Sequence, residues 1–178
     1  MIVRMTREQL AHRIAEVSLL RGEFLLRSGR KSNYYLDKYR FETQPDVLIE
    51  LGKLFAAKVG ATVDRIAGAE LGAVPLAAAA AMASGKPFVI VRNQKKDYGT
   101  GKLVEGILNA GETVIIVEDV LTTGGQVLEA AKTLKDAGAK IDRIVAVIDR
   151  LEGARQNIES AGYVFEALFT TADLDIVK

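Results

Sequence analysis

The chain has 178 residues, 49% of them hydrophobic and 26% charged, the balance of a folded domain with a well-buried core and not of a disordered chain. A formal net charge of +1 offers no general field to draw nucleic acid or an anionic membrane, so an anionic ligand must be held by local arrangement. The absence of cysteine excludes disulfides, thiolate zinc sites and a cysteine nucleophile.

The opening MIVRMTREQL has no apolar core or cleavage site of a secretory signal. The longest apolar stretch, 71–83, is too short to cross a bilayer and carries Gly72 and Pro75. A soluble cytoplasmic protein is expected, with neither nucleic acid nor membrane as a partner. Thr6 is placed to cap a helix running to about Leu20. His12, the only histidine, falls on that helix and reads as structural or exposed. Residues 22–40 then alternate through Phe24, Leu26, Tyr34, Tyr35 and Leu36, which predicts a small antiparallel excursion. Residues 1–40 are thus expected to form a hood over the end of a sheet.

From there helices and strands alternate. Helical patterns cover 45–59, 75–84, 125–137 and 152–161, with Pro45 and Pro75 suited to first turns and Gly138 to a stop. Apolar runs at 65–67, 88–91, 114–117 and 144–148 read as strands covered on both faces, as parallel strands are. The expected fold is α/β, a doubly wound and mostly parallel sheet, in one domain spanning 1–178.

The segment richest in chemistry is the apolar run 114–117 followed by Glu118, Asp119, Val120, Leu121, Thr122, Thr123, Gly124, Gly125 and Gln126. A buried strand ends in two acids, and a hydroxyl- and glycine-rich turn then opens a helix. Ligands of open α/β sheets sit at the carboxyl ends of strands, and free N–H groups at a helix start suit a phosphate. Carboxylates beside a phosphate cradle would repel it, so they must face another part of the ligand, a ribose diol or an accompanying Mg²⁺. Phosphate, diol and metal together describe a phosphorylated sugar. Neither GxxxxGK[ST] nor a GxGxxG following a strand is present.

This stretch resembles the phosphoribosyl pyrophosphate (PRPP) signature of the type I phosphoribosyltransferases. The resemblance implies that Thr122, Thr123, Gly124, Gly125 and Gln126 hold the 5-phosphate, with Val120 and Leu121 in the same PRPP loop, and that Glu118 and Asp119 meet the ribose hydroxyls as catalytic residues. Three more segments resemble the orotate phosphoribosyltransferases: GEFLLRSGRKSNYYLD at 22–37, GAELGAVPLA at 68–77 and RNQKKDYGTGKLVEG at 92–106. The last is a long polar stretch with Arg92, Lys95, Lys96 and Lys102 and with glycines at 99 and 101. Such loops in compact domains are mobile or functional.

By resemblance, 92–106 is the mobile catalytic loop that closes over the neighbouring site of a homodimer. Arg92 and Lys96 then bind pyrophosphate, Lys96 being the foremost catalytic side chain, and Asn93, Tyr98 and Arg27 join the PRPP contacts. Tyr35 and Leu36 lie over orotate, which Arg150 contacts with Thr122 nearby; a guanidinium fork suits a planar ring bearing a carboxylate. The family's Mg²⁺ is expected on PRPP, with no protein side chain assigned as its ligand. The implied reaction converts PRPP and orotate to orotidine 5'-monophosphate and pyrophosphate in pyrimidine biosynthesis. Three positions depart from the pattern: Asn93 stands where lysine is common, Tyr98 where some members have histidine, and Gly72 where relatives often carry a basic or hydroxyl side chain. A purine phosphoribosyltransferase would keep the acid pair but lack the hood and the Arg92 pattern. A PRPP-sensing regulator would need a nucleic-acid-binding element that this sequence does not offer.

Overall fold

The computed structural model describes residues 5–25, 29, 31–94 and 102–174. Helix α1, Arg7–Ser18, begins as the sequence predicts: the Gln9 amide donates to the Thr6 hydroxyl, and the Thr6 amide donates to the Gln9 side chain. This reciprocal box satisfies two of the donors a helix start leaves open. The helix stops short of the expected Leu20 because Leu19 has already turned extended and joins β1, Leu19–Leu25. Strand β2, Lys31–Leu36, pairs antiparallel with β1 from Leu19 opposite Leu36 to Leu25 opposite Lys31. Leu19, Tyr34 and Leu36 turn inward against the main core, so the excursion is anchored through one face.

A short helix that the sequence pattern does not show, α2 at Lys38–Glu42, follows β2 directly and buries Phe41 completely. Five residues are too few to display a helical period. Helix α3, Pro45–Ala56, opens on its proline and ends three residues before the expected 59. Strand β3, Arg65–Ala69, leads to α4, Ala73–Ser84, which starts two residues before Pro75. Strand β4, Phe88–Val91, and the two-residue β5, Val104–Glu105, bracket the loop region. Strand β6, Thr113–Leu121, helix α5, Gly125–Asp136, strand β7, Lys140–Asp149, helix α6, Ala154–Ser160, and strand β8, Phe165–Thr170, complete the chain.

The main sheet has six strands in the order β5-β4-β3-β6-β7-β8, parallel throughout except for β5 at one edge. Strand β6 lies inside it and reaches well past the apolar run that marks it in sequence. Its Ile115 and Val117 face a core with Leu51, Phe55, Ile66 and Leu76 on the α3 and α4 side. Its Val114 and Ile116 face a second core with Val127, Ala131 and Leu134 of α5. Alternate residues of one strand thus feed two cores, the packing of a doubly wound sheet.

The α4 layer approaches β3 closely through Gly68, where an added Cβ would lie 2.5 Å from the Ala73 carbonyl oxygen and 2.9 Å from the Ala77 Cβ. Neither obstacle is a flexible side-chain end, so Gly68→Ala must push α4 off the sheet. We predict a loss of about 1–3 kcal/mol in urea denaturation, the usual range for overpacking. Unchanged stability would show that this contact is soft.

Candidate active site

The parallel strands deliver their carboxyl ends to one edge of the sheet, where ligands of this architecture bind. β3 leads to the loop Glu70, Leu71, Gly72, whose Glu70–Leu71 peptide bond is cis. β4 leads to Arg92, β6 ends in Glu118, Asp119, Val120 and Leu121, and β7 leads to Arg150. Val120 and Leu121 are still paired with Ile148 and Asp149, so the acids sit within the strand and not in the loop after it.

Thr122 and Thr123 form the turn, and Gly124 takes φ +80°, a left-handed conformation glycine adopts freely. A Cβ there would also sit 3.2 Å from Ile158. Asn157 on α6 donates to the Thr123 carbonyl at 2.9 Å and holds the turn from below. No side chain caps α5 at Gly124, so the N–H groups of its first turn, from Gly125 and Gln126 onward, have no side-chain acceptor at the cap. The Arg150 amide donates to Leu121 at 2.9 Å, which sets the arginine beside this turn. Its guanidinium pairs with Glu152 at 2.9 Å, while its Nε is buried without a hydrogen-bond acceptor.

Both acids are buried, and a third carboxyl joins them. Asp119 is 1% exposed, takes an ammonium hydrogen bond from Lys38 of α2 at 2.6 Å on Oδ2, and accepts the Val120 amide on Oδ1. Glu118 accepts the Asp119 amide at 3.1 Å. Glu42, one helical turn beyond Lys38, is 1% exposed, and neither carboxyl oxygen has a hydrogen-bond partner. Gly72 leaves room for this meeting: a Cβ on it would fall 1.9 Å from Asp119 Oδ2 and 2.8 Å from Glu42 Oε1. Burial, then the Asp119 charge, pushes Glu42 up to about 9, and the same causes push Glu118 up to about 8. Lys38 is held above its ordinary value: burial works against its charge, but Asp119 outweighs burial.

The base of the 92–106 loop is tied to the same edge. The Asn93 amide donates to the Glu70 carboxylate at 2.7 Å, its side-chain amide donates to the Glu70 carbonyl at 3.0 Å, and Gln126 donates to Asn93 Oδ1 at 3.3 Å. Arg92 lies 3.7 Å from the Glu70 carboxylate. Arg92 and Asn93 therefore meet Gln126, 33 positions further along the chain, with Glu70 joining them.

The hood residues are placed less simply. Tyr35 and Leu36 are adjacent in β2 and turn to opposite faces, Leu36 against the core and Tyr35 outward, with its ring centroid 5.6 Å from that of Phe24. The end of β2 still lies near the acids, because Lys38 follows two residues later. Lys96, Tyr98, Arg27 and the expected Leu26 lie outside the described residues.

Sequence reading missed Lys38, Glu42, Glu70 and Asn157. Charged residues on a five-residue helix read as a solvated surface, and nothing in their spacing shows that one would be buried. Gly72, one of the departures from the family resemblance, was the available signal.

A carboxyl whose folded pKa is raised stabilises the fold fully below its unfolded value, near 4.5, and that stability is lost as pH rises through about 8. Glu118→Gln removes this burden. Relative to the parent protein, its Tm is predicted to rise by several degrees between pH 5 and pH 9. A constant difference across that range would show that Glu118 ionises like an ordinary acid.

Comparison with known proteins accords with this geometry. Residues 40–172 match the phosphoribosyl transferase domain family. The chain is 48% identical over 153 residues to an orotate phosphoribosyltransferase of Natronomonas pharaonis, covering 86% of this chain and 87% of that protein. The crystal structure of Mycobacterium tuberculosis H37Rv orotate phosphoribosyltransferase in complex with Fe(III) dicitrate superposes with a TM-score of 0.85 at 32% identity, covering 95% of this chain and 98% of that one. The same enzyme in complex with PRPP gives a TM-score of 0.79 at 31% identity, over 94% and 98% of the two chains. With the acid pair, the glycine turn and the arginine gathered at one sheet edge, and with relatives this similar over nearly their whole length, the chain belongs to the orotate phosphoribosyltransferase family.

Proposed function

We propose that this protein transfers ribose 5-phosphate from PRPP to orotate, giving orotidine 5'-monophosphate and pyrophosphate, as a Mg²⁺-dependent cytoplasmic homodimer. The observation that carries this reading is a buried acid pair running into an uncapped helix start, with Arg150 fastened beside it at Leu121. The relative of known structure that binds PRPP has the same fold.

In this reading the first turn of α5, with Thr122 and Thr123, receives the 5-phosphate on N–H and hydroxyl donors. Glu118 and Asp119 face the ribose hydroxyls. Arg150 offers its guanidinium to orotate; a carboxylate there replaces Glu152 as its partner and answers the buried Nε. Strand β2, which carries Tyr35 and Leu36 on opposite faces, borders the base.

The reaction breaks the bond between ribose C1 and the pyrophosphate oxygen and forms one from C1 to the orotate nitrogen, whose N–H proton is released to the pyrophosphate or to solvent. Positive charge grows on the sugar and negative charge on the departing pyrophosphate. Arg92 and Lys96 meet that negative charge with fixed cations, which lowers the barrier without solvent reorganisation. Asn93, Tyr98 and Arg27 complete the PRPP contacts, and closure of the 92–106 loop from the neighbouring subunit keeps water from the oxocarbenium-like centre.

Mg²⁺ in this reading arrives on PRPP, with no protein side chain assigned as its ligand. Bound there, it supplies further neutralisation of the pyrophosphate charge.

The test is loss of orotate absorbance with PRPP and Mg²⁺, with adenine, hypoxanthine and uracil in parallel. Turnover of orotate alone is expected, abolished by EDTA and reduced about 10²- to 10³-fold in Lys96→Ala, the range for one charge-stabilising donor. PRPP binding without turnover of any base would overturn the transferase reading and favour a sensor of PRPP.

A further inference from the structure

We propose that Lys38 and Glu42 are positioning residues for the ribosyl transfer, setting the orientation and charge of Asp119 from α2, with Gly72 as the gap through which they meet it. The inference rests on the transferase reading for its reaction, and on the geometry of four residues for its substance. Lys38 and Glu42 are four residues apart on α2, so they share one face of the helix. That face is directed at the end of β6, where Lys38 reaches Asp119 at 2.6 Å. Glu42 Oε1 and Asp119 Oδ2 converge on the same point above Gly72 Cα, which any side chain at 72 would occupy.

An ionised carboxylate has about four acceptor sites in fixed directions. Asp119 gives one to the Val120 amide and one to Lys38, one on each oxygen. With both oxygens held, its plane is set before the sugar arrives. An unheld carboxylate would have to be ordered on binding, at a cost to affinity.

Charge is the second consequence. PRPP is a polyanion, and three carboxylates beside its binding edge would repel it. Lys38 offsets Asp119 directly. Glu42 has no protein donor at either oxygen, and burial with the Asp119 charge favours its protonated form, whose O–H can turn towards Asp119. Burial and the Asp119 charge shift Glu118 towards its neutral form as well. The cluster then presents less negative charge to PRPP than three ionised carboxylates would, with the Lys38 ammonium against Asp119.

A purely structural ion pair would give the same picture in the free protein, so the measurement must separate the two roles. PRPP binding is followed by calorimetry in the presence of Mg²⁺, alongside Tm, kcat and the KM values for both substrates. Lys38→Met is expected to weaken PRPP binding about 10- to 100-fold, the value of a charged hydrogen bond, with the KM for orotate within twofold of the parent. Lys38→Arg should recover at least part of that loss. Glu42→Gln, which keeps a donor, should bind PRPP at least fivefold more tightly than Glu42→Leu. Gly72→Ala should weaken PRPP binding as Lys38→Met does, because its methyl displaces Asp119. Should Lys38→Met fail to fold, the Glu42 pair and Gly72→Ala decide the matter. PRPP affinity within twofold of the parent in the folded variants, or losses that only follow Tm and affect both substrates alike, would overturn the proposal. Parent protein that binds PRPP but turns over no base would instead sink the transferase reading, while the PRPP-binding series would still judge the roles of Lys38 and Glu42.

Discussion

Strand β6 is buried on both faces and does not stop being buried where its sequence turns acidic. Glu118 and Asp119 are carried to the carboxyl edge inside the sheet, still in register with β7, and are stripped of water as a result. Most of what is distinctive about the site follows from that constraint. An acid desolvated at such a place must be paired, hydrogen-bonded or protonated, since an isolated buried charge is too costly. Asp119 is paired with Lys38, and Glu118 is shifted towards its neutral form.

The same constraint explains why a five-residue helix is placed between β2 and α3. Phe41 anchors α2 in the core, and that anchor fixes the directions of Lys38 and Glu42 on either side of it in sequence. The hood and the sheet are thereby joined at the point of greatest electrostatic tension, by a cation from one and an anion from the other. Gly72 belongs to this arrangement: its missing side chain is the volume in which the carboxyls of Glu42 and Asp119 converge. The loop that carries Gly72 is bound in turn to Asn93 and through it to Gln126 at the start of α5. Asn93 and Gly72, the two described departures from the family pattern, thus each take part in a specific contact.

A closed ledger of small interactions also sets apart what is rigid from what can respond. Arg150 has a partner on one side of its guanidinium and none at Nε, and the first turn of α5 has no side-chain cap. These incomplete groups lie around the strand ends, whereas the two cores beneath them are filled by Ile, Val, Leu and Phe. Arg150 Nε and the first turn of α5 are groups the proposed reaction uses on its ligands.

Much of this was legible from local sequence. Continuous apolar runs named four of the six strands in the main sheet, Thr6 and Pro45 marked two helix starts, and the acid pair with its glycine turn pointed to the candidate site, because each signal depends only on neighbouring residues. Strand β5 was invisible because two residues make no pattern, and β8, Phe165–Thr170, because its alternation is short and interrupted. What tertiary structure alone decided was which charges are buried and beside what. Lys38 and Asp119 are 81 positions apart, and Glu42 loses its water because α2 brings it to the end of β6, where the missing side chain of Gly72 leaves room beside Asp119. Desolvation and pairing are properties of the space between elements, and local sequence carries no record of that space.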